Sequence, residues 1–315
     1  MSAVAHDGAA PVTVRAVVLE EFGGPEVLRL ATTTVPAPGP GQVRVHVEAA
    51  AVNGFDGKVR AGVLRDVVPV APPTVLGLEV AGTVDAVGAG VTGVAVGDRV
   101  AGWTDPPGGG YAEQALLRTF ARVPEGLDAV RAVTVPVAGE TAARVLRRLG
   151  VRAGETLLVL GASGAVGEVT VQLAVAAGAR VVGTASPRHH DRVRAAGAVP
   201  VAHGDGWADR VRALAPQGVD AVLDAAGRGG LVDAVALAGG PDRVVTIADG
   251  RGPGLGVEFS DRAEPSVDAL ADQLVRVADG RLVTTVGAVL PLADAPAAHA
   301  LVDGGHPGGK VVLVP

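Results

Sequence analysis

Thr156-Leu157-Leu158-Val159-Leu160-Gly161-Ala162-Ser163-Gly164-Ala165-Val166-Gly167-Glu168 is the stretch on which the reading of this chain turns. Thr156 to Leu160 is a continuous apolar strand that runs straight into a glycine-rich turn, and a helix follows over Glu168 to Ala177, ending at Gly178. From Ala162 the spacing is A-x-G-x-x-G. Such a turn lets backbone approach a pyrophosphate closely, and the helix N-terminus behind it stabilises the negative charge. Gly164 permits that approach and Gly167 lets the helix pack on the strand. Ala162 stands where the pattern has its first glycine, so the tight turn must differ there. The spacing alone is weak, but its place between strand and helix is the context the mechanism requires. The alternative is a purely structural turn. A nucleophile elbow is set aside because the G-x-S-x-G spacing is missing.

About twenty residues further on, a carboxylate would hold the ribose 2′-hydroxyl of NAD. The sequence instead reads Gly183-Thr184-Ala185-Ser186-Pro187-Arg188-His189-His190, with no acid before Asp191. Ser186 can donate a hydrogen bond and Arg188 can pair with a 2′-phosphate, a charge-assisted contact of about 1.5–3 kcal/mol. NADPH is therefore the expected cofactor, held by Ser163, Gly164, Ala165, Val166, Gly167, Ser186 and Arg188. The alternative is that Arg188 and the two histidines form a solvated helix start.

Working outward, the 315 residues suit two domains. With 48% apolar and 19% charged residues, the composition is that of a globular chain, not a disordered one. The formal charge of −6, with both signs interspersed and no basic stripe, argues against nucleic acid as a partner. There are no cysteines, which removes disulfides, thiolate zinc ligands and a cysteine nucleophile together, and a cytoplasmic location is expected. No apolar run approaches the roughly 20 residues that span a bilayer, so no membrane is expected as a partner. Met1 to Ala10 lacks the pattern of a signal peptide, and residues 1–11 are expected to form a disordered tail.

Before the turn, short strands are expected at Val12 to Leu19, Gln42 to Ala51, Gly77 to Val87 and Asp98 to Ala101, separated by turns such as Pro106 to Gly110. They suggest a small barrel-like β domain. From about residue 126 strands and helices alternate. Strands are expected at Arg180 to Gly183, Ala221 to Leu223 and Val244 to Ala248, with a helix at His189 to Ala196. Continuous apolar strands alternating with helices imply a parallel sheet covered on both faces. A helix at Val267 to Asp279 and strands at Leu282 to Ala288 and Lys310 to Val314 return to the first domain. The expected division is residues 12–125 with 261–315, and residues 126–260.

The landmarks Ala51-Val52-Asn53-Gly54-Phe55-Asp56-Gly57-Lys58-Val59-Arg60, Gly77-Leu78-Glu79-Val80-Ala81-Gly82-Thr83-Val84, Val96-Gly97-Asp98-Arg99-Val100, Gly110-Tyr111-Ala112-Glu113, Asp220-Ala221-Val222-Leu223-Asp224 and Gly309-Lys310-Val311-Val312-Leu313 join the glycine turn in one pattern. With them the chain resembles the medium-chain dehydrogenase/reductase superfamily, in particular its zinc-free quinone oxidoreductase branch. The resemblance implies an α/β architecture: a Rossmann doubly wound parallel sheet plus a GroES-like β-rich catalytic domain. It also implies a homodimer. In the zinc enzymes of this superfamily the first catalytic cysteine would fall near Asn53 and a histidine at Leu78, leaving Glu79 alone of that set. No metal is therefore expected. A metal-free site suits hydride addition to an already electron-poor acceptor, a quinone or an α,β-unsaturated carbonyl, with the cofactor carrying the chemistry.

The resemblance also nominates residues. Asn53, Lys58 and Arg60 are the catalytic candidates: Asn53 for a substrate carbonyl, the nicotinamide or its ribose, Lys58 to polarise a carbonyl or donate a proton, Arg60 at the substrate entrance. Against these stand a self-capping turn for Asn53, a solvated lysine for Lys58, and an i,i+4 ion pair between Asp56 and Arg60. Thr141 matches a threonine near the nicotinamide, with a helix cap as the alternative. Ile247 and Ala248 end a strand where backbone could meet the nicotinamide amide. Phe55 and Trp103 are expected to line the substrate pocket, and His203 lies near the adenosine phosphate in some relatives. The alternatives to a quinone or enone reductase are a stand-alone enoyl reductase in a polyketide-like pathway and a noncatalytic NADPH-binding sensor.

Overall fold

A computed structural model describes residues 9–105, 108–261, 263–305 and 307–315. The expected tail lies outside the described residues up to residue 8, as do Pro106 and Pro107 of the expected turn. The chain divides into two compact units, one of Met1–Val137, Pro265–Arg281 and Thr285–Pro315, the other of Ala138–Glu264 and Leu282–Thr284. The first crossing falls at residue 137, not 125, and a short segment after residue 281 joins the second unit.

The first unit is β-rich. Its strands are β1 (Val12–Leu19), β2 (Leu28–Val35), β3 (Val43–Val52), β4 (Thr74–Val75), β5 (Glu79–Val87), β6 (Arg99–Thr104) and β7 (Gln114–Arg122). β1 lies between β2 and β4 in a small antiparallel sheet. β3 alternates Val43, Val45 and Val47 against Arg44, His46 and Glu48, as a strand with one face in a core must. Arg44 is nonetheless buried, because Asp85 accepts its Nε at 2.9 Å. β3 pairs with β5 along most of its length and also with β7 (Val43↔Leu117). With β5–β6 and β6–β7 pairings this closes a four-stranded barrel, its interior filled by Val43, Val45, Val47, Val80, Val84, Val100 and Leu117. Each fully buried Val or Leu contributes roughly 1.5–3 kcal/mol.

The second unit is the parallel sheet. β8 (Thr156–Leu160), β9 (Arg180–Ala185), β10 (Val199–Ala202), β11 (Ala221–Asp224), β12 (Val244–Thr246) and β13 (Glu258–Phe259) run in the order β10-β9-β8-β11-β12-β13, all parallel. This is the Rossmann order, whose direction of travel reverses between β8 and β11. Apolar side chains fill both faces: Leu157, Val159 and Leu223 on one, Leu158, Val182 and Val222 on the other. That two-sided burial is why these strands read as unbroken apolar runs.

β14 (Val286–Pro291) and β15 (Lys310–Val314) return to the first unit, where β15 pairs with β3 (Val311↔Val52). The strand expected from Leu282 starts four residues later. Gln172 takes both backbone groups of Val283 at 2.8 Å, satisfying them without a neighbouring strand. The helix after the glycine turn begins at Ala165, earlier than expected, and spans Ala165–Ala176.

Candidate functional site

The glycine turn follows β8 at the switch point of the sheet. Gly161 has φ +84°, the left-handed conformation that makes the turn tight without a glycine at position 162. Ala162 is buried, and its N–H donates to Thr184 O at 2.9 Å. A Cβ on Gly183 would run into its methyl group, and a Cβ on Gly167 would collide with Gly161 O. Gly167 thus holds helix against strand. Gly164 caps the helix Ala165–Ala176 and offers no hydroxyl or carboxylate to its first N–H groups, while Ser163, Ala165 and Val166 are half-buried around it. A twelve-residue helix ending this way presents amide donors and positive dipole charge, which fits a pyrophosphate.

At the end of β9, Ser186 Oγ and His203 Nε2 lie 3.0 Å apart, so two strand ends bring these side chains together. Arg188 is exposed beside them and contacts His189 Nε2 at 3.3 Å. Asp191, the nearest acid in sequence, is fully exposed and paired with Arg194 at 2.7 Å. The donors here fit a 2′-phosphate. Arg192 escaped the sequence reading. Its guanidinium donates to Ser163 O and lies 3.4 Å from the buried Glu168, bracing the turn from the helix His190–Ala195. Its spacing of four from Arg188 was the available signal.

Asp224 ties together the ends of β11 and β12. It accepts from the N–H groups of Ala226 and Gly227 at 3.0 Å and from Thr246 Oγ1 at 2.8 Å, and Thr246 Oγ1 in turn accepts from Ala248 N at 3.1 Å. Ile247 N donates to Asp224 O at 3.0 Å. The amides of Ile247 and Ala248 are thus engaged within the protein. Thr141 lies inside the helix Pro136–Leu149, not at its cap, where Glu140 and Arg144 approach its hydroxyl at 3.4 Å.

In the β-rich unit, Asn53 precedes the helix Gly54–Arg60. It is the N-cap of that helix, in a capping box with Asp56, and its side chain also reaches other elements. Nδ2 donates to Glu79 Oε1 at 3.0 Å, and Oδ1 accepts from Lys310 Nζ at 2.6 Å. Lys310 also pairs with Glu79 at 2.6 Å, and Glu79 Oε2 takes Val137 N at 2.7 Å. Trp103 is half-buried and stands opposite Glu79 in the β5–β6 register, hence on the same face. Phe55 is exposed and Lys58 half-buried on the helix.

The expected Asp56–Arg60 pair does not form. Asp56 accepts from Asn53 N at 2.8 Å and from Tyr111 Oη at 2.9 Å. Arg60 is buried and donates to Gly23 O at 3.1 Å, His299 Nδ1 at 3.1 Å and Asp303 at 2.8 Å. All three guanidinium nitrogens are engaged, with the loop at Gly23 and with the helix Ala295–Asp303, so a place for Arg60 at a substrate entrance is set aside. Burial pushes the Asp56 carboxyl up to about 6, against the hydrogen bonds from Asn53 and Tyr111 that favour its charge. Burial, with Arg60 alongside, lowers His299 to about 4. Arg60 can only donate, so Nδ1 must accept and the proton sits on Nε2, which has no partner among the described residues.

Two family descriptions match the chain: alcohol dehydrogenase GroES-like domain over residues 39–125 and zinc-binding dehydrogenase over residues 196–313. Quinone oxidoreductase of Mus musculus is 31% identical over 96% of this chain and 98% of its own length. The chain belongs to the quinone oxidoreductase branch of the medium-chain dehydrogenase/reductase superfamily. A second relative, 2-haloacrylate reductase of a Burkholderia species, is 32% identical over 96% of this chain and 99% of its own length. Quinone oxidoreductase of Lama guanicoe is 40% identical, and the chain spans only about half of that protein's length (55%). Among solved medium-chain structures, the Coxiella burnetii quinone oxidoreductase superposes with a TM-score of 0.85 at 28% identity, over 96% of this chain and all of the other. A mycobacterial protein complexed with NADPH gives 0.80 at 30% identity over the same shares.

Proposed function

We propose that this chain is an NADPH-dependent, zinc-independent reductase that transfers hydride to a quinone or an α,β-unsaturated carbonyl compound. The observation that carries this reading is the donor set at Asn53: an amide, a carboxylate and an ammonium, each engaged with the others. Such a set can donate a hydrogen bond to a carbonyl oxygen. An amide and an ammonium are poor zinc ligands, and the Glu79 carboxylate already faces a cation, so the set fits hydrogen bonding better than metal binding. Reduction of an electron-poor acceptor asks only for hydrogen bonding. The names of the mouse and Burkholderia relatives, a quinone oxidoreductase and a 2-haloacrylate reductase, agree with both acceptor classes.

Bound NADPH would supply the hydride. Ser163 to Gly167 would hold its pyrophosphate, Ser186 and Arg188 its 2′-phosphate, and Thr141, Ile247 and Ala248 would border its nicotinamide. Asn53 would bind the acceptor oxygen, with Lys58 on the adjoining helix as the proton donor and Phe55 and Trp103 flanking the acceptor. A homodimer completes the proposal. A second reading, an enoyl reductase acting on a polyketide-type intermediate, draws on a match of 35% identity to a Streptomyces venezuelae polyketide synthase component, over 78% of this chain and 7% of that protein.

Fluorescence titration with NADPH and NADH, followed by nicotinamide absorbance with a panel of quinones, enones and enoyl thioesters, tests the proposal. Tighter binding of NADPH and turnover of quinones or enones is the expected result, and an Arg188→Ala variant should lose roughly tenfold or more of its NADPH affinity with NADH unchanged. Turnover confined to enoyl thioesters selects the second reading. Binding without turnover of any acceptor makes the protein a sensor, and no binding of either nucleotide overturns the proposal.

A further inference from the structure

Asn53, Glu79 and Lys310 come from three elements far apart in sequence and share one buried contact. Glu79 is 0% exposed and Lys310 4%, so both charges have left water. A buried ion pair of this kind contributes little net stability, and apolar replacements of similar size are often neutral or stabilising. Its geometry is more informative. An ammonium has donors only, and a carboxylate has acceptors only. Lys310 Nζ must therefore face an oxygen of the Asn53 carboxamide, and Glu79 must face its nitrogen, as the 2.6 Å and 3.0 Å contacts show. Rotating the amide by half a turn would set N–H against ammonium and oxygen against carboxylate. One Nδ2 hydrogen is used by Glu79, and the other is the remaining donor of a half-buried side chain.

We propose that the Lys310–Glu79 pair is a positioning unit that locks Asn53 with its second Nδ2–H toward the acceptor, which makes this site selective for molecules presenting a carbonyl or quinone oxygen. The inference rests on the reading of Asn53 as the group that meets the acceptor. Lys310 also polarises the carboxamide through its oxygen and strengthens the outward N–H as a donor, as hydrogen bonds in chains reinforce one another. Neither Lys310 nor Glu79 touches the acceptor; both act through Asn53.

A double-mutant cycle tests this. Lys310→Met combined with Glu79→Gln removes the pair without leaving a lone buried charge, and Asn53→Ala removes the amide. In the Asn53→Ala variant kcat should fall roughly a hundredfold, as for loss of one oxyanion donor. The paired replacement should lower kcat about tenfold or more, leave the NADPH dissociation constant unchanged, and cost nothing further in the Asn53→Ala background. Lys310→Arg with Glu79 intact should recover part of the loss. Additive losses, or a folded paired variant with wild-type kcat, would overturn the proposal. The ¹H–¹⁵N side-chain signals of Asn53 in the nucleotide-free protein give a readout independent of turnover. They should shift in the paired variant, and unchanged signals count against the lock. Absence of turnover in the wild-type protein defeats the reading of function, while the spectrum still decides the orientation of the amide.

Discussion

Asp56 and His299 are both buried against Tyr111, which donates to one and makes a T-shaped ring contact with the other at 5.6 Å. Their titrations oppose each other. The Asp56 carboxyl, raised to about 6, holds a proton in the folded chain that the unfolded chain gives up near pH 4, so its contribution falls as pH rises between about 4 and 6. His299, lowered to about 4, lacks in the folded chain a proton that the unfolded chain keeps up to about 6.5, so its contribution grows over nearly the same window. Each amounts to about 3 kcal/mol at 1.36 kcal/mol per unit. Asp56→Asn should therefore gain stability relative to wild type as pH rises from 4.5 to 6.5, and His299→Gln should lose it. Urea unfolding at both pH values measures this. Variants that track the wild type across the window would show that neither burial sets the balance.

At the scale of the element, the strand–turn–helix around Gly161 depends on two glycines for different reasons. Gly161 supplies backbone conformation, and Gly167 supplies clearance for the helix against the strand. Gly167→Ala should push the helix Ala165–Ala176 outward, cost about 1–3 kcal/mol of stability and weaken NADPH binding more than tenfold, because the helix amides then miss the phosphates. Calorimetry and nucleotide titration of the same variant check both. This element was legible because its apolar strand, glycines and following helix are contiguous. So were β1 and β15, whose bounds match the expected Val12–Leu19 and Lys310–Val314. The helix Leu231–Ala238 and β10, with Pro200 inside it, carry weaker periodic signals and escaped the reading. The Asn53–Glu79–Lys310 contact was illegible for another reason. Each residue could be quoted in a motif, but only the β15–β3 and β3–β5 pairings bring the three together. Arg60 misled because spacing of four on a helix favours Asp56, while Asp303 and His299 arrive from a helix more than two hundred residues away.

At the scale of the whole molecule, the parallel-sheet unit is an insertion: the β-rich unit is interrupted at Val137 and resumes at Pro265. This settles an order of events on the ribosome. Synthesis delivers every strand of the Rossmann sheet by Phe259, and the last segment of its unit by Thr284. The β-rich unit must wait for Lys310–Val314 before the C-terminal end of β3, Ala50–Val52, gains its last partner. Domains generally fold as units while the chain emerges at about 5–20 residues per second. Arrested nascent chains that have exposed residue 284 but not residue 310 should resist protease over Ala138–Glu264 and be cut around Ala50–Val52. Equal protection of both segments would contradict this order. Until Lys310 is made, Glu79 and Asn53 lack the cation they contact, so the newborn protein would acquire its glycine turn before it acquires the proposed acceptor site.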